Sequence, residues 1–368
     1  MVDWSELVAP GVRGLEPLDV DWTVGQVRTL ATHERAAKLD WNESPFGPLP
    51  GVLDALGDEL AQVSRYPIQA YDDFRADVAR SLGVAPGLVV PAHGTQALIG
   101  TVATTFLRPG EHVVLPAVTF YLYGMVSAAR GAVVHEARVG VHGIDLAALA
   151  AAAREVGAKL VWVCDPNNPT GTTLLRQEWE VFLDALPQGC IAVADEAYAD
   201  FLPRDCRLER ERDVVEGRPV VVLRSFSKFF GLAGLRLGYA IVDEAVAQYL
   251  GIVDEPFNVN VMALAAGRAS LRVSEDVREA RRREVADARE YLTRSLVAIG
   301  AEPYPSDVSF VLVRVDADDV LVAQRLLEGG ILVRAGSELG LPGHIRVTVG
   351  PPSVTDRLTA ELERALRR

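Results

Sequence analysis

Lysine is the scarce charge in this sequence: of 37 cationic side chains in 368 residues, only Lys38, Lys159 and Lys228 are lysines. Cysteine is equally rare. Cys164, Cys190 and Cys206 are too few and too scattered for a disulfide framework, and no Cys-x-x-Cys or His-Glu-x-x-His spacing offers a metal site. No metal is expected, and free thiols suit a reducing compartment. Basic charge is short overall, since 50 acidic residues leave a net charge of −13. With a pI near 5.0 and no broad cationic surface, a nucleic-acid partner is excluded. No apolar run reaches the roughly 18 residues of a membrane-crossing helix. The first residues, Met1 to Glu6, lack the basic and apolar regions of a signal peptide. These absences predict a cytoplasmic protein with neither membrane nor nucleic acid as partner.

What is present supports a sizeable core, because 49% of the residues are hydrophobic, and the length exceeds one average domain. Short β-branched runs at 111–116, 159–164, 191–195 and 220–223 are separated by helical stretches. That alternation predicts buried strands of a mostly parallel sheet. After about residue 255 a long charged helix near 274–299 is followed by strand-like runs at 308–313 and 344–349, then a final helix. The pattern predicts an α/β fold, a large domain over 45–255 with helices on a mostly parallel sheet. A smaller α+β domain is expected from 256–368 together with an arm over 1–44. Arg281-Arg282-Arg283 reads as a solvated helix face, salted by Glu279 and Glu284.

A chain that uses arginine almost everywhere keeps a lysine where an amine is wanted, because a guanidinium stays charged and is no nucleophile. Lys228 stands in Arg224-Ser225-Phe226-Ser227-Lys228-Phe229-Phe230-Gly231, an apolar, hydroxyl-rich setting that lowers an amine pKa. Alone it reads rather as a lysine snorkelling from a strand end, and the clusters around it are what favour the reactive amine. Three more polar clusters follow strands, where open α/β sheets bind ligands. His93-Gly94-Thr95-Gln96-Ala97 precedes a helix beginning near Ala97 and offers amides to a phosphate, or simply a threonine cap. Asp165-Pro166-Asn167-Asn168-Pro169-Thr170-Gly171 is a turn. In Asp195-Glu196-Ala197-Tyr198, successive side chains point to opposite faces, so one carboxylate faces the crevice. After Lys228 come Gly231 and Gly234, which allow close backbone approach, and Arg236, able to clamp a phosphate.

In order and spacing these four clusters resemble the fold-type I pyridoxal-phosphate aminotransferases (class I/II), from about Leu39 to Gly350. Within them, Arg13-Gly14-Leu15-Glu16-Pro17, Asn42-Glu43-Ser44-Pro45-Phe46-Gly47-Pro48, Arg65-Tyr66-Pro67 and Pro256-Phe257-Asn258-Val259-Asn260 are similar to the histidinol-phosphate aminotransferase group. The resemblance implies a seven-stranded sheet, pyridoxal 5'-phosphate as cofactor, and a ping-pong transfer between a small amino donor and a keto acceptor. It also implies that Lys228 bonds the cofactor aldehyde and that Asp195 pairs with the ring nitrogen. Asn168 and Tyr198 would donate to the ring's phenolic oxygen. Gly94, Thr95, Gln96, Ser225, Ser227 and Arg236 would hold the phosphate. Tyr66 would reach a partner's cofactor in a homodimer with shared sites. Phe120 matches the aromatic stacked on the ring; Tyr121 and Tyr123 are near enough to confuse the register, and a core role is the other reading. Arg346, with Arg334 as a second candidate, would grip the substrate's anion, and Trp41 and Asn42 would line the substrate pocket.

The sequence departs from the histidinol-phosphate pattern at Leu18, Trp41, Ser44, Gln96-Ala97 and Ser309, all bearing on the substrate. Gly94-Thr95-Gln96-Ala97-Leu98-Ile99 is somewhat similar to threonine-phosphate decarboxylases. The alternatives are therefore a paralogous aminotransferase for another amino acid, an aromatic one included, or a natural-product precursor, and a decarboxylase or cyclase on the same scaffold. A ligand-sensing module lacks a DNA-binding extension here, and a nicotinamide oxidoreductase lacks Gly-x-Gly-x-x-Gly after the first strand.

Overall fold

The structure is a computed structural model and describes residues 7–15, 20–34, 36–138 and 143–367. Leu18, like Glu16, Pro17 and the first six residues, lies outside the described residues. Strands are numbered along the chain: β1 (Ala37–Lys38), β2 (Val89–Ala92), β3 (His112–Pro116), β4 (Val133–Ala137), β5 (Leu160–Cys164), β6 (Ile191–Asp195) and β7 (Val220–Ser225). They continue with β8 (Gly238–Ile241), β9 (Glu302–Pro303), β10 (Phe310–Arg314), β11 (Ile331–Leu332), β12 (Arg334–Ala335) and β13 (His344–Thr348).

A seven-stranded sheet in the order β2-β8-β7-β6-β5-β3-β4 carries the middle of the chain. Only β8 runs antiparallel to its neighbours, so the expectation of a mostly parallel seven-stranded sheet is met. The runs are apolar throughout because both faces are covered. Along β5, Val161 and Val163 enter one core cluster while Leu160, Trp162 and Cys164 enter the other. Alternation with period two thus feeds two cores from one strand.

A four-stranded antiparallel sheet, β12-β13-β10-β9, forms from the C-terminal part, and β1 pairs in parallel with β11. That pairing brings the segment after Lys38 against the late strands: the Thr348 amide donates to the Leu39 carbonyl at 3.0 Å. The helix Glu275–Ala298 begins at a Ser274 cap accepting from the Val277 amide, with Glu275 and Asp276 in its first turn. Both features favour a helix start.

The arginine cluster corrects the sequence reading. Arg281 and Arg282 are buried. Arg281 donates to the Gly47 carbonyl at 2.9 Å, and Arg282 donates to the Asp200 carbonyl at 3.1 Å while pairing with Glu275 and Glu279. A helix face that charge alone marks as solvated is an interface to carbonyls from two distant loops.

Candidate active site

The carboxyl ends of the parallel strands converge on one cavity of about 430 Å³. Thr95 and Gln96 reach it from the helix after β2, Phe120 from the loop after β3, and Asn168 from the loop after β5. Asp195 closes β6, Tyr198 follows it, and Ser225, Ser227, Lys228 and Arg236 come from β7 and the turn beyond. Trp41 and Asn42, brought in by β1, and Arg334 and Arg346, on β12 and β13, form the opposite wall. Most candidate site residues are therefore in one place. Gly94 does not itself line the cavity but adjoins it beside Thr95 and Arg236; Tyr66 is 77% exposed, away from the cavity, with its ring 5.2 Å from that of Phe257.

The Lys228 Nζ donates to the Trp41 carbonyl at 2.7 Å and lies 5.8 Å from the centre of the Tyr198 ring. Loss of water, and then the Arg346 charge, push its pKa down to about 7. An amine so placed is substantially neutral near pH 7 and free to take a proton or attack a carbonyl.

Asp195 is buried, its Oδ1 accepting from the Ala197 amide at 3.0 Å and its Oδ2 from the Tyr123 hydroxyl at 2.8 Å. Burial raises its carboxyl to about 6, against the lowering effect of the Tyr123 bond. Tyr123 is fully buried and stacked on Trp162, centroids 5.1 Å apart and planes 8° from parallel. Ser127 locks the pair by accepting from Trp162 Nε1 at 3.2 Å and donating to the Tyr123 carbonyl at 2.7 Å. Sequence reasoning weighed Tyr123 only as a stacking aromatic; its hydroxyl instead serves Asp195.

Glu196 points the other way, as strand alternation requires. Its carboxylate meets Arg210 at 2.7 Å and Arg224 at 2.5 Å, and Arg210 also reaches Asp165 at 2.6 Å. Burial alone would raise Glu196, yet the two guanidinium groups hold it below the ordinary glutamate range. The Arg210 guanidinium lies 4.1 Å above the Trp179 ring. This buried network fixes the ends of β5 and β6, and so the seats of Asn168 and Asp195.

The helix Thr95–Phe106 starts at Gly94, φ 94°, with no side-chain cap, which leaves its positive end to face the cavity. A Cβ on Gly94 would lie 2.8 Å from Arg236 Nη2. Arg236 itself takes a left-handed conformation, φ 57°, and its Nη2 reaches Gln96 Oε1 at 3.5 Å. Ser225 Oγ accepts from the Ser227 amide at 3.1 Å. A guanidinium, two hydroxyls and a helix N-terminus around a glycine form a cradle for a phosphate.

On the opposite wall, Arg346 Nη1 donates to Asn168 Oδ1 at 2.5 Å and Nη2 to the Asp40 carbonyl, while its Nε is buried without a partner. Burial pushes Arg346 down to about 10. Asn42, left-handed at φ 53°, donates to the Tyr198 hydroxyl at 2.9 Å and accepts from the Thr348 hydroxyl at 3.1 Å. The Tyr198 phenol is raised to about 12, chiefly by burial. Trp41 remains 39% exposed, with the Lys38 ammonium 5.4 Å from its ring centre. Neither Asp40 nor Thr348 carries a sequence signal, since both act only because β1 is drawn to the late strands.

The family model for class I and II aminotransferases matches residues 35–366. The histidinol-phosphate aminotransferase of Brevibacillus brevis is 36% identical over 328 residues, covering 89% of either chain. That of Symbiobacterium thermophilum is 35% identical over 363 residues, covering 98% of each. Among solved structures, histidinol-phosphate aminotransferase from Sinorhizobium meliloti, in complex with pyridoxal-5'-phosphate, superposes with a TM-score of 0.88 at 28% identity, covering 98% of this chain and 97% of that one. Thermus thermophilus aspartate aminotransferase with maleate, at 22% identity and TM-score 0.84 over 98% of this chain and 99% of that one, shares the fold.

Proposed function

The chain belongs to the class I and II aminotransferases, and we propose that it is a pyridoxal-phosphate-dependent transaminase whose amino donor is histidinol phosphate and whose acceptor is 2-oxoglutarate. One observation carries the reading: Asp195, closing β6, and Lys228, in the turn after the neighbouring β7, flank the same cavity as the phosphate cradle around Gly94 and Arg236. The residues fit the cofactor, because a Cβ at Gly94 would crowd the Arg236 guanidinium, which lines the cavity with Ser225, Ser227 and the helix start at Thr95, a donor set suited to a phosphate.

When bound, the cofactor supplies an aldehyde to take up the amino group and a conjugated ring to delocalise charge from the substrate α-carbon. Thr95, Gln96, Ser225, Ser227 and Arg236 hold its phosphate in this proposal, and Phe120 covers the ring. Tyr123 is committed to Trp162 and Asp195 and does not compete for that role. Asp195 would hold a proton at the ring nitrogen, and Asn168 and Tyr198 would donate to the phenolic oxygen. Lys228 would take the proton from the substrate α-carbon and deliver it to the former aldehyde carbon of the cofactor, so that the amino group stays with the cofactor. Arg346 and Arg334 bind the substrate's anionic end, with Trp41 and Asn42 lining the remaining wall. The exposed Tyr66 is assigned to the partner's site in a homodimer. The reducing cytoplasm suits the free thiols Cys164, Cys190 and Cys206. Residues 45–255 are assigned to a cofactor-binding domain, with 1–44 and 256–368 building the smaller one.

A second reading, favoured by the half-open Trp41 indole in the cavity wall, is a paralogue acting on an aromatic amino acid. The test follows the cofactor's visible absorbance as donors are added and its recovery with 2-oxoglutarate. Histidinol phosphate should give the fastest half-reaction, and Lys228→Ala should slow it by about 10²–10⁴-fold. Faster reaction with aromatic amino acids would favour the paralogue, and carbon dioxide release without recovery by 2-oxoglutarate would replace transamination with decarboxylation.

A further inference from the structure

A carboxylate stands directly behind the anion-binding wall: Glu338 pairs with the cavity-lining Arg334 without itself lining that cavity. Arg334 and Arg346 are direct partners across the antiparallel pair β12 and β13, so two cations stand side by side, an arrangement that destabilises a sheet unless it is countered. Arg346 is held by Asn168 and the Asp40 carbonyl. Arg334 is held by Glu338, whose carboxylate lies 2.7 Å from its Nε with the two side chains 17% and 29% exposed. Being four residues apart, the two would ordinarily count as a weak local pair.

The loop makes this pair different. Buried Asp319 accepts from the Ser337 amide at 2.6 Å, the Ser337 hydroxyl at 2.8 Å and the Gly343 amide at 2.8 Å. Both ends of the 337–343 loop are thereby tied to one carboxylate. The Gly336 amide donates to the His344 carbonyl at 2.7 Å, and a Cβ at Gly336 would collide with the backbone of Leu341 and His344. Glu338 therefore sits on a fixed turn, between Ser337 and the cavity-lining Leu339. Its carboxylate is held at Arg334 with little further loss of freedom, which is what makes a competing contact effective.

We propose that Glu338 is a specificity-determining residue, an internal carboxylate that competes with the substrate's distal anion for Arg334 and so discriminates by ligand charge. A singly charged group is served by Arg346 and leaves the Glu338 pair intact. A doubly charged phosphate needs both guanidinium groups and must displace Glu338. The inference rests on the assignment of Arg334 and Arg346 to anion binding, although not on which amino donor is used.

The test measures, by calorimetry on the cofactor-loaded protein, the affinity for inorganic phosphate and for acetate, with KM and kcat for histidinol phosphate recorded alongside. Glu338→Gln should tighten phosphate by about three- to tenfold, with acetate changing by less than about twofold, and should lower KM more than it alters kcat. Glu338→Ala should act in the same direction, and Arg334→Gln in the Glu338→Gln background should remove the gain. Unchanged or weaker phosphate binding in both Glu338 variants would show that the carboxylate merely orients Arg334, and would overturn the proposal. Tighter phosphate binding without turnover of histidinol phosphate would uphold the role of Glu338 while removing the assigned substrate.

Discussion

Lys228 joins a neutral-leaning amine to a composition with only two other lysines, Lys38 and Lys159, so its ionisation is directly measurable. Burial lowers its pKa from 10.5 to about 7, so the reactive amine form becomes dominant as the pH rises through about 7. In cofactor-free protein, acylation of Lys228 followed by peptide mass spectrometry should rise with a midpoint there. A midpoint near 10.5 would sink the claim of a desolvated amine. Lys228, Asp195, Asn168 and Arg236 were legible because each sits in a short polar cluster closing a strand or following one. Tyr123 was not, because its hydroxyl meets a carboxylate 72 residues away. Only the packing of the helix Leu122–Ala129 on Trp162 creates that meeting, and the aromatic run 120–123 does not announce which ring turns inward. Leu18, one of the departures bearing on the substrate, lies outside the described residues.

At the scale of elements, the strands of the seven-stranded sheet recovered from sequence, β3, β5, β6 and β7, carry continuous or nearly continuous apolar runs buried on both faces, whereas β13 was recovered although Arg346 interrupts its apolar residues. β2 was missed because Pro91 interrupts its four residues, β4 because it is an edge strand with His135 and Glu136 in its five residues, and β8 because it opens on glycine and is four residues long. β1, β9, β11 and β12 are two residues each, too short for any periodicity. The joint between β5 and β6 depends on charge that no pattern reveals: Arg210 lies between Asp165 and Glu196, with all three side chains buried. Removing one member of such a network leaves the others uncompensated. Arg210→Met should lower unfolding stability by about 3–5 kcal/mol, measured by denaturant melts of the cofactor-free protein. The effect should carry a pH signature. The Glu196 pKa is depressed in the folded state, so its contribution is present above the ordinary glutamate pKa and lost as the pH falls through the folded value. The gap between wild type and variant should therefore narrow in acid. A gap under about 1 kcal/mol, or one that widens in acid, would mean that the network is neutral to the fold.

For the whole molecule, the decisive question is whether one chain completes a site. The cavity gathers residues from both ends and the middle of the chain, yet Tyr66 stands outside it, 77% exposed. The Phe257 ring 5.2 Å from it is exposed as well, and so are Leu53, Leu60, Val63 and Ile68 in the same stretch of the chain, apolar side chains of the kind a second copy would cover. If the partner supplies Tyr66, two defective proteins should rescue each other. Lys228→Ala protomers have an intact Tyr66, and Tyr66→Ala protomers an intact Lys228. In a mixed dimer, one of the two sites then receives both residues and the other receives neither. Equal mixing with random re-pairing should restore about a quarter of wild-type activity, from half of the sites in about half of the dimers. Turnover after mild dissociation and reassociation, with sedimentation to confirm the dimers, reads this directly. Activity that never exceeds the average of the two separate variants, in samples where mixed dimers are present, would place Tyr66 outside the shared chemistry and leave each site complete within its own chain.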